Sequence, residues 1–318
     1  DFGSPEEKKK FLKQEQTLLT KGIYNPLTKQ TQIIAPEKIN WYRYAIKTKA
    51  KFSYNSARRY YPTTPEDAFI ASENSFFDSS KANEAKTKKL NDPPKYELGE
   101  IEWDESIGDL IFVPSSTGSL KIFKTPEKNW NSRYVVGSDI GRGYDDGDYS
   151  CAYVWDRLSQ QYVAVWHGKV DQDQFAEILM NLGLYYNEAL LVPEANLDTV
   201  INVIKPDGIN PYIGEIYIDE NLKNEHWGFL TTSSSRQMLI ESHKSRLRDN
   251  PLGYDVLPDV ETINEHLAFI RKKTQHKVKY EAADGHHDDR VIGSALAWFG
   301  DDWWDQPVKE YKPNKLVE

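Results

Sequence analysis

The chain has 318 residues, a net charge of −9, 39% hydrophobic and 13% aromatic residues. That apolar content is enough for a packed core and excludes a disordered chain. No apolar run reaches the roughly 20 residues of a membrane helix, and no signal peptide opens the sequence. Cys151 is the single cysteine, so no intramolecular disulfide forms and a reducing compartment fits. The acidic balance argues against coating nucleic acid by bulk charge, but local basic patches remain able to hold phosphates. The first residue is Asp1 rather than methionine, as expected of a piece from the middle of a longer protein.

Lys8 to Lys21 is charged and helix-like, with Gly22 as its stop. Pro36 to Ala50 reads as a helix with Ile39, Tyr42 and Ile46 on one face. In Tyr60 to Asp78, Thr64 is a good N-cap and Pro65 suits a first helical position ahead of Ala68, Phe69 and Ile70. The lysine-rich stretch from Ser79 to Lys95, ending in Pro93-Pro94, reads as a helical or flexible linker. Gly99 to Phe123 alternates and predicts short strands. From Tyr134 the pattern becomes α/β. A strand ends at Asp139, and Ser150 to Gly168 is a hairpin turning near Arg157 to Gln160. Asp171 to Tyr186 is an amphipathic helix, Ala189 to Pro193 a buried strand ending at Glu194, and Leu197 to Ile204 a helix. A strand is expected at Tyr212 to Ile218, a long helix at Ser234 to Asp249, and a last apolar helix within Asp284 to Gly300.

Carboxylates sit where three of these elements begin or end. Asp139 ends one strand, Glu194 follows another, and Asp288 and Asp289 open the last helix. In an open α/β sheet, sites form outside the carboxyl ends of neighbouring strands. Packing Val291, Ile292, Ala295, Leu296 and Phe299 on the sheet would aim the first turn of that helix at both strand ends. A cage of oxygen ligands suits Mg²⁺ or Mn²⁺, and two such ions support phosphodiester cleavage. Each acid also has a plainer reading: Asp139 as the start of a turn, Glu194 as a helix cap, Asp288 and Asp289 as an N-cap and a first-turn acid. His286 and His287 resemble half a zinc site, but no further ligand set accompanies them. A phosphate contact suits them better.

The order strand-Asp, hairpin, helix, strand-Glu, helix-Asp resembles the ribonuclease H-like superfamily. The stretches VVGSDIGRGYDDGDYSCAYVWD, LLVPEAN, GFLTTSSSRQMLIESHKSRL and ADGHHDDRVIGSALAW resemble the nuclease domain of the large terminase subunit of tailed bacteriophages. Upstream, NWYRYAIK and YYPTTPEDAFIASENSFFD resemble the segment that joins that family's ATPase core to its nuclease. The resemblance implies an α/β ribonuclease H-like fold, with a central mixed sheet flanked by helices and a mostly helical N-terminal extension. It implies an ATPase-region tail and linker over 1–125, the nuclease over 126–300 and a C-terminal tail over 301–318. It further implies a Mg²⁺- or Mn²⁺-dependent endonuclease that cuts concatemeric double-stranded viral DNA during packaging, using two metal ions. Asp139, Glu194, and Asp288 or Asp289 would be its acids, with Asp148 as a secondary ligand. The implied partners are the terminase ATPase domain, the portal protein and the small terminase subunit. The implied location is the cytoplasm of the infected bacterium and not the mature virion, with no membrane involved. No GxxxxGK[ST] loop occurs in the chain, so it should cut DNA without hydrolysing ATP.

Candidate phosphate contacts are Arg142 beside the first acid, Arg236, Lys244, Arg246 and Arg248 on the long helix, and Arg271, Lys272, Lys273, His276, Lys277 and Lys279, with His286 and His287. Gly214 to Ser235 is expected to form a hairpin that gates the site. Two other readings compete. One is a non-catalytic DNA- or portal-docking module that uses the aromatic tail around Trp303 and Trp304. The other is a resolvase- or transposase-like nuclease, which fits the acids but not the PTTPEDAF stretch.

Overall fold

A computed structural model describes residues 9, 12, 13, 16, 23–25, 30–32, 36–48, 75–143, 149–219, 226–273 and 278–310. The chain divides into two compact units, Asp1–Ser80 and Lys81–Glu318. In the first, β1 (Ile23–Asn25) pairs antiparallel with β2 (Gln30–Gln32). Helix α1 (Pro36–Thr48) starts at its proline, whose missing N–H is no loss there. It buries Ile39, Tyr42 and Ile46, the face expected from their spacing, together with Ala45. The helix expected from Thr64 lies outside the described residues, as does most of the one expected at Lys8 to Lys21.

The lysine-rich stretch is a helix, α2 (Ser79–Asn91), which buries Ala82 and Ala85 and stops before the two prolines. Then come β3 (Glu97–Asp104), β4 (Asp109–Pro114), β5 (Leu120–Ile122), β6 (Trp130–Asn131), β7 (Tyr134–Asp139), β8 (Ser150–Asp156) and β9 (Gln161–Gly168). They are followed by α3 (Gln172–Tyr185), β10 (Leu190–Pro193), α4 (Asp198–Ile204), β11 (Ile218–Asp219), β12 (His226–Trp227) and α5 (Ser233–Asp249). The unit closes with α6 (Val260–Ala268), β13 (Phe269–Lys273), β14 (Val278–Ala282), α7 (Asp289–Trp303) and β15 (Lys309–Glu310).

Seven strands form one sheet in the order β10-β7-β8-β9-β5-β3-β4. β10 runs parallel to β7, and the other neighbours are antiparallel. This is the mixed, helix-flanked sheet that the resemblance implies. The boundary expected at 125/126 falls inside that sheet, because β5 is hydrogen-bonded to β9 with Leu120 opposite Trp166. Backbone pairing therefore ties the stretch read as linker to the domain. The expected strand at Tyr212 to Ile218 is shorter, with an Ile216 bridge to Leu191 before β11. The segment expected as a separate tail begins within α7. Asp301 accepts hydrogen bonds from Trp155 Nε1 at 3.0 Å and Arg157 Nε at 2.9 Å. Trp304 Nε1 donates to Glu215 at 2.8 Å, and Trp303 packs edge-on against Tyr217 at 5.0 Å. Trp304 is thereby buried in the domain's own surface, whereas Trp303 stays partly exposed. Residues 311–318 lie outside the described part.

Every residue of β8 is buried, as expected of a strand covered on both faces. Alternation sorts the side chains of β7 and β8. Val136, Ala152 and Val154 join Phe175, Ala176, Leu179 and Leu182 of α3 in one apolar core. On the other face, α7 comes down onto Gly137, where an added Cβ would lie 2.0 Å from Ala297 N and 2.6 Å from Gly293 O. Gly293 in turn admits Cys151 Sγ, 2.6 Å from the position of its own missing Cβ. Only glycines let backbone approach so closely. Asp139, two residues beyond Gly137 on the same strand, therefore emerges on the face that carries α7.

Helix α5 packs on α7 through Arg246, whose Nη1 donates to Trp298 O at 2.6 Å. It meets α6 through a buried histidine pair, His243 Nε2 and His266 Nε2, 2.9 Å apart. His266 Nδ1–H donates to Thr262 O at 2.8 Å, so its Nε2 accepts from His243. Burial holds both imidazoles neutral, His266 pushed down to about 4 and His243 well below its usual value. Both groups ionise near 6.5 in the unfolded chain. Their contribution is thus complete above pH 6.5 and falls away as pH drops towards 4. We expect a loss of ~2 kcal/mol from His266 alone between pH 7 and 4.5. Denaturant melts at the two pH values, compared with a His243→Gln/His266→Gln variant whose slope should flatten, measure it.

Candidate active site

Parallel pairing builds the site first. Pro193 lies opposite Ser138, and Glu194 N–H donates to Ser138 O at 2.9 Å. Glu194 therefore leaves β10 beside the end of β7. Burial, the negative charge of Glu194, and a side-chain hydrogen bond with it push the Asp139 carboxyl well above the usual range. Asp289 and then Asp288 add to the same effect. Two strand ends thus bring Asp139 and Glu194 together, and the start of α7 places Asp289 and Asp288 near enough for their charge to be felt. Asp289 is 5% exposed and Glu194 9%. Asp289 is fixed through its backbone, where Cys151 Sγ–H donates to Asp289 O at 3.2 Å.

Asp288 differs from Asp289. It occupies the N-cap of α7, yet its side chain makes no capping bond. Its Oδ2 instead accepts from Arg236 Nη2 and from Ala282 N at 3.1 Å. Arg236, read from sequence as a phosphate contact, is thereby engaged with an acid.

A second row lies behind the acids. Asp139 pairs with Cys151 and Cys151 with His167, so the three side chains share one face. A bulge between Val154 and Trp155 sets this register. Tyr149 stacks on His167 at 4.6 Å and 16° and meets His287 edge-on at 5.4 Å. His287 Nδ1 in turn stands 4.0 Å from Asp289 Oδ2. Burial, with the Arg290 cation nearby, pushes His167 down to about 3, so it is neutral. Beneath the acids, Arg290 N–H donates to Glu265 Oε2 at 2.8 Å, its Nε lies 3.3 Å from Glu265 Oε1, and burial pushes Glu265 up to about 7. Sequence reading missed Tyr149, His167, Glu265 and Arg290. Glu265 alone carried a local signal, sitting on a helix that Asp259 caps by accepting from Thr262 N at 2.9 Å.

The donor set at the acids is all oxygen and suits a hard divalent cation. Among the described residues, no three His, Cys, Asp or Glu side chains close into a ready metal cage.

No family model and no curated protein matches this chain. Solved structures do. It is similar to the large terminase nuclease from thermophilic phage G20c with bound magnesium, at TM-score 0.45 and 18% identity, over 64% of this chain and 92% of that chain. The same nuclease with bound cobalt gives the same values. The Thermus phage P74-26 large terminase nuclease domain gives TM-score 0.44 and 18% identity, over 68% of this chain and 95% of that chain.

The basic residues fall into three groups. Arg142 is exposed three residues after Asp139. Arg271, Lys272 and Lys279 are exposed on the antiparallel pair β13–β14, with Lys272 directly opposite Lys279. His286 and His287 are exposed on the turn before α7. Lys273 closes β13, and Lys244 lies half-buried on α5. Arg246 is tied to Trp298 O and to Asp301 at 2.8 Å, and Arg248 pairs with its neighbour Asp249, so neither is held towards the acids. Asp148, His276 and Lys277 lie outside the described residues. The expected hairpin in Gly214 to Ser235 is present as β11 paired with β12, and its connection, 220–225, also lies outside them.

Proposed function

We propose that this chain is a divalent-metal-dependent DNA endonuclease of the large-terminase kind, cutting double-stranded viral DNA during genome packaging. The observation that carries the reading is the convergence of Asp139, Glu194 and Asp289 from two neighbouring strands and one helix, in a setting that raises the Asp139 carboxyl. Structural carboxylates are normally placed beside cations, which lowers their pKa. Acids crowded together at the carboxyl end of a sheet fit a cation site better than a structural one.

On this reading Asp139, Glu194 and Asp289 would hold the Mg²⁺ or Mn²⁺ ions, two of which would serve the cleavage. Asp148 is a further ligand candidate. The chemistry the ions supply when bound is Lewis-acid activation of water and stabilisation of the departing oxygen. Burial of Glu194 and Asp289 keeps their carboxylates in one geometry, so little reorganisation is needed when a phosphodiester arrives. Arg142, Lys244, the exposed cations of β13–β14 with Lys273 and Lys277, and His286 and His287 hold the DNA backbone without reading sequence. The partners are then double-stranded DNA, the terminase ATPase domain, the portal and the small subunit. The place of action is the cytoplasm of the infected bacterium.

The test is plasmid cleavage by the purified chain. Nicking and linearisation are expected with Mg²⁺ or Mn²⁺ and none with EDTA. Absence of cutting with either metal, together with no Mn²⁺ binding by calorimetry, would overturn the reading.

A further inference from the structure

Asp288 and Arg236 both stand out for what they do not do. An aspartate at a helix N-cap normally accepts from the backbone of the first turn. Asp288 makes no such bond. Its Oδ2 is turned instead to the hairpin, accepting from Ala282 N of β14 at 3.1 Å, and to Arg236 of α5. Arg236 splits its guanidinium between two acceptors. Nη2 donates to Asp288, while Nε donates to Tyr280 O, also on β14, at 3.0 Å. The guanidinium lies 6.0 Å from the Phe269 ring at the start of β13.

Arg236 is itself held firmly. It lies in the first turn of α5, which is closed by a reciprocal cap between Thr232 and Ser235, and its own N–H donates to Thr232 O at 2.9 Å. A second tie runs from Tyr280 OH to Glu241 Oε1 at 3.2 Å. The hairpin root is closed by Ala283 N–H donating to Ala268 O at 2.9 Å. Three elements therefore meet at one charged pair: the capped start of α5, the strand β14, and the start of α7 one residue before Asp289.

We propose that Arg236 and Asp288 form a latch that holds the basic β13–β14 hairpin against the first turn of α7. Both are positioning residues, not a phosphate contact and a metal ligand. The latch sets the distance between the exposed Arg271, Lys272 and Lys279 and the acid at Asp289, so that a backbone gripped by the hairpin is presented to the metals in register. Its functional meaning rests on the nuclease reading above, whereas its geometry does not. Lysine cannot replace Arg236, because a single ammonium lacks the planar fork that reaches two acceptors at once.

Arg236→Gln, Asp288→Ala and the double variant test it, each first checked by thermal melting for an intact fold. Hydrogen exchange of the 278–283 amides reads the latch without any activity. We expect exchange there to rise at least about tenfold in each single variant, with the double no worse than either, as for two members of one unit. Cleavage at saturating DNA should fall about 10–100-fold, the scale of a small misplacement of reacting groups. Mn²⁺ binding should be retained in both single variants, because no ligand has been removed. The dependence of log K for DNA on log salt should keep its slope, and Arg236→Lys should not rescue.

Loss of Mn²⁺ binding in Asp288→Ala with retention in Arg236→Gln would make Asp288 a ligand and overturn the proposal. A slope reduced by about 0.9 in Arg236→Gln would make Arg236 a phosphate contact. Unchanged exchange at 278–283 would remove the latch. If the wild-type chain neither cuts DNA nor binds Mn²⁺, the nuclease reading fails, and the exchange result still decides the latch.

Discussion

Asp139→Asn should abolish metal-dependent cleavage, by on the order of 10³-fold or more, equivalent to ~4 kcal/mol of transition-state stabilisation. The same substitution should make the metal-free protein more stable. Burial and the neighbouring charges of Glu194, Asp289 and Asp288 raise the Asp139 carboxyl well above its ordinary value. The contribution of a raised carboxyl to stability is complete below its unfolded pKa of about 3.9 and is lost as pH rises through the folded value. At pH 7 the burial of the Asp139 carboxyl among other acids therefore opposes folding, and asparagine, which keeps the shape without the ionisable group, relieves it. A melting shift of roughly 2–4 °C per kcal/mol relieved is expected, vanishing near pH 4. Mn²⁺ should reverse the order, since binding to the native state stabilises wild type and not the variant. Melting with and without Mn²⁺ at pH 7, beside a plasmid assay, checks all of this. A variant that melts lower than wild type without metal would mean that Asp139 is an ordinary structural acid.

Gly137→Ala should damage both fold and activity, although Gly137 touches no reacting group. The added methyl would lie 2.0 Å from Ala297 N, 2.6 Å from Gly293 O and 2.6 Å from Leu296 C. All three atoms belong to the backbone of α7, so no side chain can swing aside, and the helix must move off the sheet. Overpacking costs about 1–3 kcal/mol where side chains can adjust, and we expect the upper end or beyond here. A shift of α7 carries Asp289 with it, and a misplacement of about 1 Å can cost about 10²-fold in rate. Urea unfolding should show the loss of stability. Cleavage measured well below the new melting temperature should still be reduced. Full activity in the folded variant would show that the position of α7 against β7 is not what aligns the acids.

Much of this organisation is legible in the linear order of residues. The buried runs Tyr134–Asp139, Ser150–Asp156 and Leu190–Pro193 read as strands because β-branched and aromatic residues fill them without a helical period. The acids read as a set because each closes or opens such an element. Ser79 to Lys95 reads as either helix or flexible linker because lysine-rich helices carry almost no apolar stripe, and only Ala82 and Ala85 are buried in α2. β3 to β5 share a sheet with strands that follow residue 125, and local pattern does not show this, since a strand's partner is a long-range fact.

What the sequence by itself determined is the kind and order of elements and the residue types at their ends, because propensity and periodicity act over a few residues. What only the tertiary structure decided is which of those residues meet. A single bulge at Val154/Trp155 places His167 opposite Cys151, in the row of Asp139, where an unbroken hairpin from the same turn would place Trp166. Asp288 and Asp289 are adjacent and chemically identical in the chain. The start of α7 turns one towards Arg236 and β14 and buries the other near Cys151, because Asp288 is the non-helical N-cap and Asp289 the first residue of the helix. That divergence is set by the close approach of α7 to Gly137, a contact between residues more than a hundred positions apart, and no local signal encodes it.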